Sequence, residues 1–359
     1  MIVMRIGIAY DIRDVSAVSC EGPEDALEEY DLPETVEAIS QVLSSMGYSV
    51  VKLGGGREFL QRILREEVDF VFNIAEGRGT YRSREAQVPA VLEMLGIPYS
   101  GSDPQTLAIC LDKPLTKRLV KTAGVATPRW IVAESLNSRL INALKTFPLP
   151  AFVKPAYEGS SKGIRFSSKV GTIKELIAQV RFVLETYRQP ALVEEFIPGD
   201  DVTVAVLDSP PRVTGIMRVL PKDGYDPDFV YSLEIKRDWN ERIFYECPAQ
   251  LPEFVEKRLR RDTLKSFSVL GCRDLSRFDF RISTEGIPYF LEVNPLPGMR
   301  PGYSDFVIIA ERMGYSYSKL IELILESAFK RLKMKFFPRD EHYSNEEPLK
   351  CRVFDKRRL

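Results

Sequence analysis

The run Tyr289-Phe290-Leu291-Glu292-Val293-Asn294-Pro295-Leu296-Pro297-Gly298-Met299 carries a carboxylate and an amide two residues apart on an apolar strand, then breaks into a Pro-Gly turn. Side chains alternate along a strand, so Glu292 and Asn294 are expected on one face and Leu291 and Val293 on the other. Upstream, Arg277-Phe278-Asp279-Phe280-Arg281 places Arg277 and Asp279 on one face of a second apolar strand. A hairpin across residues 283–286 would bring Asp279, Glu292 and Asn294 together. These are hard oxygen donors of the kind magnesium (or manganese) accepts, with open positions left for substrate phosphates. Arg277 would neutralise charge on a transferring phosphoryl group, and Gly298 would let a backbone amide meet an oxyanion. The competing reading is a hairpin with solvent-facing charges, for which Asn-Pro-Leu-Pro-Gly is an odd strand ending.

Two further stretches are suggestive. Phe152-Val153-Lys154-Pro155 sets a lysine at the end of a buried strand, and Tyr157-Glu158-Gly159-Ser160-Ser161-Lys162-Gly163 follows it. The lysine is a flexible point charge for a phosphate, and small loop residues let backbone amides approach its oxygens. This is not a P-loop, and a lysine snorkelling from an edge strand is an even alternative. Leu192-Val193-Glu194-Glu195-Phe196-Ile197-Pro198-Gly199-Asp200-Asp201 ends a strand in a hinge able to meet an adenine edge and hold a ribose. In isolation a generic acidic turn is the better explanation. Asp112 before Lys113 reads as a helix N-cap.

Composition narrows the chemistry. The 50 basic residues balance 51 acidic ones, which argues against a generic nucleic-acid or acidic-membrane surface. No apolar run approaches a membrane span. Five scattered cysteines without CxxC spacing fit reduced cytoplasmic thiols. The single histidine, His342, lies in a charged tail, so Ser-His-Asp, Cys-His and histidine-zinc chemistries are disfavoured. Catalysis has to run on carboxylates, lysines, arginines, backbone amides and a hard metal.

The elements that must position these residues alternate at first: strand 5–10, helix 34–46, strand 48–53, helix 57–66, strand 68–74, helix 86–95. That order implies a parallel sheet with helices on its faces, an α/β unit. Helices at 113–122, 136–146 and 172–187 and strands at 130–133, 151–154 and 191–196 follow. The polar, turn-rich segment 223–240 is long enough to be a lid. A helix at 253–270 leads into the Asp279 strand, and helices at 306–313 and 318–332 close the globular part. At 359 residues the chain is expected to divide into two or three packed units. The charged segment 333–359 is expected to be a solvated tail.

Taken in order, these motifs resemble the D-alanine–D-alanine ligase family of the ATP-grasp superfamily, over residues 6–332. Gly96-Ile97-Pro98-Tyr99-Ser100-Gly101-Ser102, Leu111-Asp112-Lys113, Val153-Lys154-Pro155 with Glu158-Gly159-Ser160-Ser161, and 292–299 carry the resemblance. It implies an ATP-grasp fold, α/β and α+β, with a Rossmann-like N-terminal preATP-grasp domain (1–111). A central subdomain (112–198) and a C-terminal subdomain with the metal site (199–332) would grip ATP between them. By the resemblance, Lys113 and Lys154 are phosphate lysines, and Glu158, Gly159, Ser160 and Ser161 form the loop over the phosphates. Glu194, Glu195, Phe196 and Ile197 are the adenine hinge, and Asp201 stands at the ribose position. Asp279, Glu292 and Asn294 are the magnesium ligands. Lys236 is the lid lysine near the γ-phosphate, and Arg277 and Gly298 stabilise the tetrahedral intermediate. The implied reaction is ATP-dependent, ADP-forming joining of amino acids or peptides through an acylphosphate, in the cytoplasm, by a protein that often dimerises through N-terminal elements.

The departures cluster where amino acids would sit. The family's glutamate after the first strand has no counterpart in Asp11-Ile12-Arg13-Asp14-Val15-Ser16, which an acidic insertion follows. Glu76 stands where the family has a histidine, Arg237 where it has the lid tyrosine that partners Ser160, and Ser304 one residue beyond the expected serine. The expectation is intact ATP machinery with an altered acceptor pocket. Two other readings fit the same residues: a phosphotransferase that stops at phosphate transfer, and a non-catalytic nucleotide-binding module.

Overall fold

The computed structural model describes residues 3–13 and 23–335. Phe336, Phe337, Pro338, His342 and nearly all of the expected tail lie outside these, as do Cys20, Cys351 and the insertion's first part.

The N-terminal elements are β1 (Arg5–Tyr10), α1 (Pro33–Ser45), β2 (Ser49–Gly54), α2 (Gly56–Ile63), β3 (Phe70–Ile74), α3 (Gln87–Met94) and α4 (Pro104–Leu111). The strands form a parallel sheet in the order β2-β1-β3. Every residue of β3 is buried, as befits a parallel strand covered on both faces.

The next group is α5 (Lys113–Thr122), β4 (Trp130–Ala133), α6 (Ser138–Lys145), β5 (Ala151–Pro155), β6 (Lys169–Val170), α7 (Ile173–Thr186) and β7 (Ala191–Glu195). Its sheet is antiparallel, in the order β4-β7-β5-β6. Thr172 and Glu175 form a capping box that fixes where α7 begins, and α7 buries Leu176, Val180 and Val183 against the sheet.

The last group is β8 (Gly199–Leu207), β9 (Arg212–Pro221), α8 (Leu233–Arg237), α9 (Trp239–Arg242), β10 (Ile243–Glu246), α10 (Glu253–Leu270), β11 (Leu275–Ser283), β12 (Pro288–Asn294), α11 (Asp305–Arg312) and α12 (Tyr317–Leu332). Its antiparallel sheet runs β10-β9-β8-β11-β12. Phe329 of α12 meets Phe70 of β3 edge-on, 4.9 Å between ring centres, so the last helix packs on the first sheet.

Several elements escape the sequence reading. Strand β8 begins in what reads as a hinge, opening on Gly-Asp-Asp, while β9, which contains Gly215 and Arg218, and β10 fall where the sequence reading places no element. Gly199, at φ 145°, turns the chain from the hinge straight into β8; a Cβ there would lie 1.9 Å from the carbonyl oxygen of Ile282. Helix α4 starts at Asp103, whose side chain accepts from the Thr106 amide at 2.8 Å, with proline in the first turn. The segment 223–240 is not all turn, since α8 and the start of α9 lie in it. Among the described residues no helix is long and apolar enough to cross a membrane.

Candidate active site

The β11–β12 hairpin pairs Arg277 with Asn294 and Asp279 with Glu292. The register then slips: Phe280 pairs with Phe290, leaving Leu291 as an extra residue. This bulge overturns the expected alternation. Phe290 and Val293 enter the core, whereas Leu291 lines the same cavity as Glu292. Asp279 accepts from Arg277 at 2.9 Å and from the Thr203 hydroxyl at 3.0 Å. Burial and the nearby Glu292 charge raise its carboxyl despite Arg277.

Strand β5 delivers Lys154 to this hairpin. Its ammonium lies 3.0 Å from Glu194 on β7 and 3.6 Å from Glu292. Lys113, at the start of α5, approaches Glu292 at 3.6 Å and donates to the carbonyl of Glu158. Helix α5 starts there because Asp112 caps it, accepting from the Leu115 amide at 3.0 Å. Burial alone would push Glu292 up, but Lys113, Lys154 and Arg277 outweigh it and hold the carboxyl at about 2. Burial works against the charge of Lys154 too, and Glu194 with Glu292 raise it nonetheless.

Lys154, Arg277, Asp279 and Glu292 line a cavity of about 920 Å³ including its open mouth, between the second and third sheets. Ser161, Glu194, Glu195, Phe196, Ile197 and Asp201 line it as well. Phe196 lies between two cations, Lys169 at 4.2 Å and Arg281 at 4.6 Å from its ring centre. Asp201 pairs with Arg281 at 2.8 Å through one oxygen, and its other oxygen is buried without a hydrogen-bond partner.

A second cavity, about 840 Å³, opens beside the first. Glu76, Ser160, Asn294, Gly298, Arg300 and Ser304 line it, and Lys236, Arg277 and Asp305 line both. Asn294 therefore faces the second cavity, with its carbonyl oxygen accepting from the Leu296 amide at 3.0 Å. Gly298 packs on Ser304, where a Cβ would sit 2.9 Å from the hydroxyl. Ser160 and Ser161, at φ 49° and 62°, are consecutive left-handed residues facing the second and first cavities respectively. Glu76 is buried on the cavity wall and, among the described residues, has neither a hydrogen bond nor an ion pair. Burial first, then Glu85, Glu29 and Asp31, raise its carboxyl well above the usual range.

Four of the expected residues, Lys113, Glu158, Gly159 and Arg237, line neither cavity. The Glu158 carboxylate binds Gln189 at 2.6 Å, Lys162 at 2.5 Å and Arg84 at 3.1 Å, away from both cavities. The Gly159 amide donates to Glu29 at 2.5 Å. Arg237 lines neither cavity; it is half-exposed and grips Glu28 at 2.6 Å.

Sequence reasoning overlooked Lys117, Arg281 and Asp305. Lys117 is fully buried, paired with Glu194 and donating to the Thr127 hydroxyl at 2.8 Å. Burial, opposed by Glu194, lowers its ammonium to about 8. It stands four residues beyond Lys113 on α5, so the helical period was the available signal. Arg281 continues the Arg277–Asp279 alternation of β11 and reaches the carbonyls of Pro227 and Phe229 at 2.9 and 2.8 Å. Asp305 approaches Arg277 at 3.7 Å and carried no local pattern.

With this geometry in view, relatives can be compared. Residues 119–326 match the family described as D-ala D-ala ligase C-terminus. The D-alanine–D-alanine ligase of Aquifex aeolicus is 33% identical over 292 residues, covering 81% of this chain and 94% of that one. That of Azoarcus sp. is 36% identical over 271 residues, covering 74% and 82%. Among solved structures, the D-alanine–D-alanine ligase from Bacillus anthracis complexed with ATP superposes with TM-score 0.70 at 26% identity, covering 92% of this chain and 99% of the other. VanG D-Ala:D-Ser ligase from Enterococcus faecalis shares the fold, with TM-score 0.69 at 20% identity over 91% of this chain and 99% of the other. The fold is the ATP-grasp fold of these ligases. The chain belongs to the D-alanine–D-alanine ligase family.

Proposed function

We propose that this protein is an ADP-forming carboxylate–amine ligase that uses ATP to join amino acids, either a D-alanine–D-alanine ligase or a relative with an altered substrate. One observation carries the reading: Lys236, Arg277 and Asp305 line both cavities, so a carboxylate held in the second would meet a phosphoryl group held in the first. The Bacillus anthracis relative complexed with ATP supports nucleotide binding in the cleft between the second and third sheets.

In this reading the hinge 194–197 takes the adenine, Asp201 the ribose, and Lys113, Lys154 and Ser161 the phosphates. The substrate carboxylate attacks the γ-phosphorus as the bond to ADP breaks, which gives an acylphosphate and ADP. An amine then attacks the carbonyl carbon and phosphate departs. Arg277, Lys236 and the Gly298 amide neutralise charge as it develops, which suits a site without histidine. Asp279, Glu292 and Asn294 fit a hard cation in part. They supply two carboxylates and an amide, and among the described residues no three His, Cys, Asp or Glu side chains are grouped to hold a metal ion. Magnesium (or manganese) would take its remaining ligands from the phosphates and supply charge neutralisation there.

Glu76, buried on the second cavity's wall without a partner among the described residues, offers a seat for a substrate ammonium, and Ser304 a hydroxyl nearby. Arg237 acts on substrate only through Glu28. One sheet in each of 1–111, 112–198 and 199–332 supports the three-part division. The unpaired thiols Cys110, Cys247 and Cys272 are compatible with a cytoplasmic location, and a homodimer belongs to the same proposal by analogy with the family.

Product analysis tests the reading. Incubation with ATP, magnesium and a screen of D- and L-amino acids and short peptides should yield ADP, phosphate and a condensed product. A stable phosphorylated product formed without amine would refute it.

A further inference from the structure

Residues 23–31 form a turn-rich strap, and Glu24, Asp25, Glu28 and Glu29 tie it to the glycine-rich loop, the chain just after it and the lid. Glu24 pairs with Arg165 at 2.5 Å. Asp25, fully buried, accepts from the Gly163 amide and from the Tyr187 hydroxyl, both at 2.9 Å. Glu28 lies between Arg13 at 3.1 Å and Arg237 of α8 at 2.6 Å. Glu29 takes Arg84 at 2.6 Å, Lys162 at 3.3 Å and the Gly159 amide at 2.5 Å.

We propose that Glu29 is a positioning residue for the glycine-rich loop, and that the strap carrying it sets the affinity of the first cavity for a nucleoside triphosphate. The proposal rests on the ATP reading of that cavity. Ser160 and Ser161 both adopt left-handed backbone that residues with a side chain rarely hold, and such strain persists only where the surroundings over-determine it. The two amides that flank this pair, Gly159 and Gly163, are the ones held by Glu29 and Asp25. Because Ser160 faces the second cavity and Ser161 the first, the clamp fixes what the loop presents to each.

Charge balance singles out Glu29 within the strap. Glu29 and Glu158 together match Arg84 and Lys162 in a buried quartet. Burial would push Glu29 up, but Arg84, Lys162 and the Gly159 amide overcome it and hold the carboxyl at about 2. Neutralising Glu29 leaves two buried cations with one carboxylate, and Arg84 and Lys162 are then free to pull the loop out of register. Glu28 and Asp31 of the same strap line the second cavity, so one segment backs both.

The experiment uses the full chain and ATP with magnesium. Glu29→Gln, Glu29→Asp and, as a surface control, Glu253→Gln are compared with wild type by calorimetric titration and by hydrogen exchange of residues 157–165. Glu29→Gln should weaken ATP binding roughly tenfold or more, with faster exchange confined to residues 157–165 and the strap. Glu29→Asp, which keeps the charge at shorter reach, should fall between, and Glu253→Gln should match wild type. ATP affinity within about twofold of wild type in Glu29→Gln would overturn the proposal. So would faster exchange throughout the second sheet, which marks a clip that only holds the fold. A wild-type chain that fails to bind ATP overturns the reading of the first cavity, and this proposal with it.

Discussion

Asp279 and Glu292 face each other as register partners across the β11–β12 hairpin, yet their surroundings shift their carboxyls in opposite directions. Lys113, Lys154 and Arg277 overcome burial to keep Glu292 ionised at about 2, while burial and Glu292 raise Asp279. Glu292 is thus the carboxylate ready to receive a cation. Glu292→Gln should lower turnover by roughly three orders of magnitude or more with the fold retained, read as ADP release beside a thermal melt. Activity near wild type would remove Glu292 from the metal set.

Lys154 lies between Glu194 and Glu292; Lys154 and Glu194 are buried and Glu292 is partly exposed. Lys154→Met leaves Glu194 to Lys117 and Glu292 to Lys113 at 3.6 Å. Breaking a buried pair from one side costs about 3–5 kcal/mol, and ATP affinity should fall with it. Urea unfolding and ATP titration on one sample check both.

Chelation separates the metal from the fold. Two carboxylates and an amide are too few ligands to hold a structural ion, so EDTA should stop ADP release while leaving the melting temperature of the nucleotide-free protein unchanged. Magnesium should restore activity. A melting temperature that drops on chelation would point to a resident ion instead.

Glu85 gives a pH dependence of defined sign. Burial raises its carboxyl from the ordinary 4.5 to about 7, with Arg84 opposing and Glu29 reinforcing. The folded chain then holds this proton over a range where the unfolded chain has lost it. Its contribution is fully present below about pH 4.5, falls as pH rises through about 7 and is level above. Glu85→Gln should raise the melting temperature by roughly 5 °C at about pH 8, and by less at about pH 5. Equal gains at both would refute the assignment.

The hairpin was legible because its residues are near in sequence and its strands alternate; only the bulge at Leu291 was not, since an extra residue leaves no local mark. The lysines were legible from strand and helix ends. Strands β8 and β9 were not, because their Asp200, Asp201, Gly215 and Arg218 mimic turns until burial against α10 and α11 is known. Arg237 and Glu158 look like pocket residues in the sequence, and Glu28 and Arg84 draw them away through contacts 209 and 74 positions apart. Such pairings come from tertiary packing and carry no period to read.

The central claim, that a carboxylate is activated where the two cavities meet and then captured by an amine, is tested most directly by phosphate release. Wild-type protein, ATP and magnesium should release phosphate only with an amino-acid pair that the second cavity accepts, with one condensed product per ADP. Release without any amine, or a phosphorylated acid accumulating as final product, would contradict it.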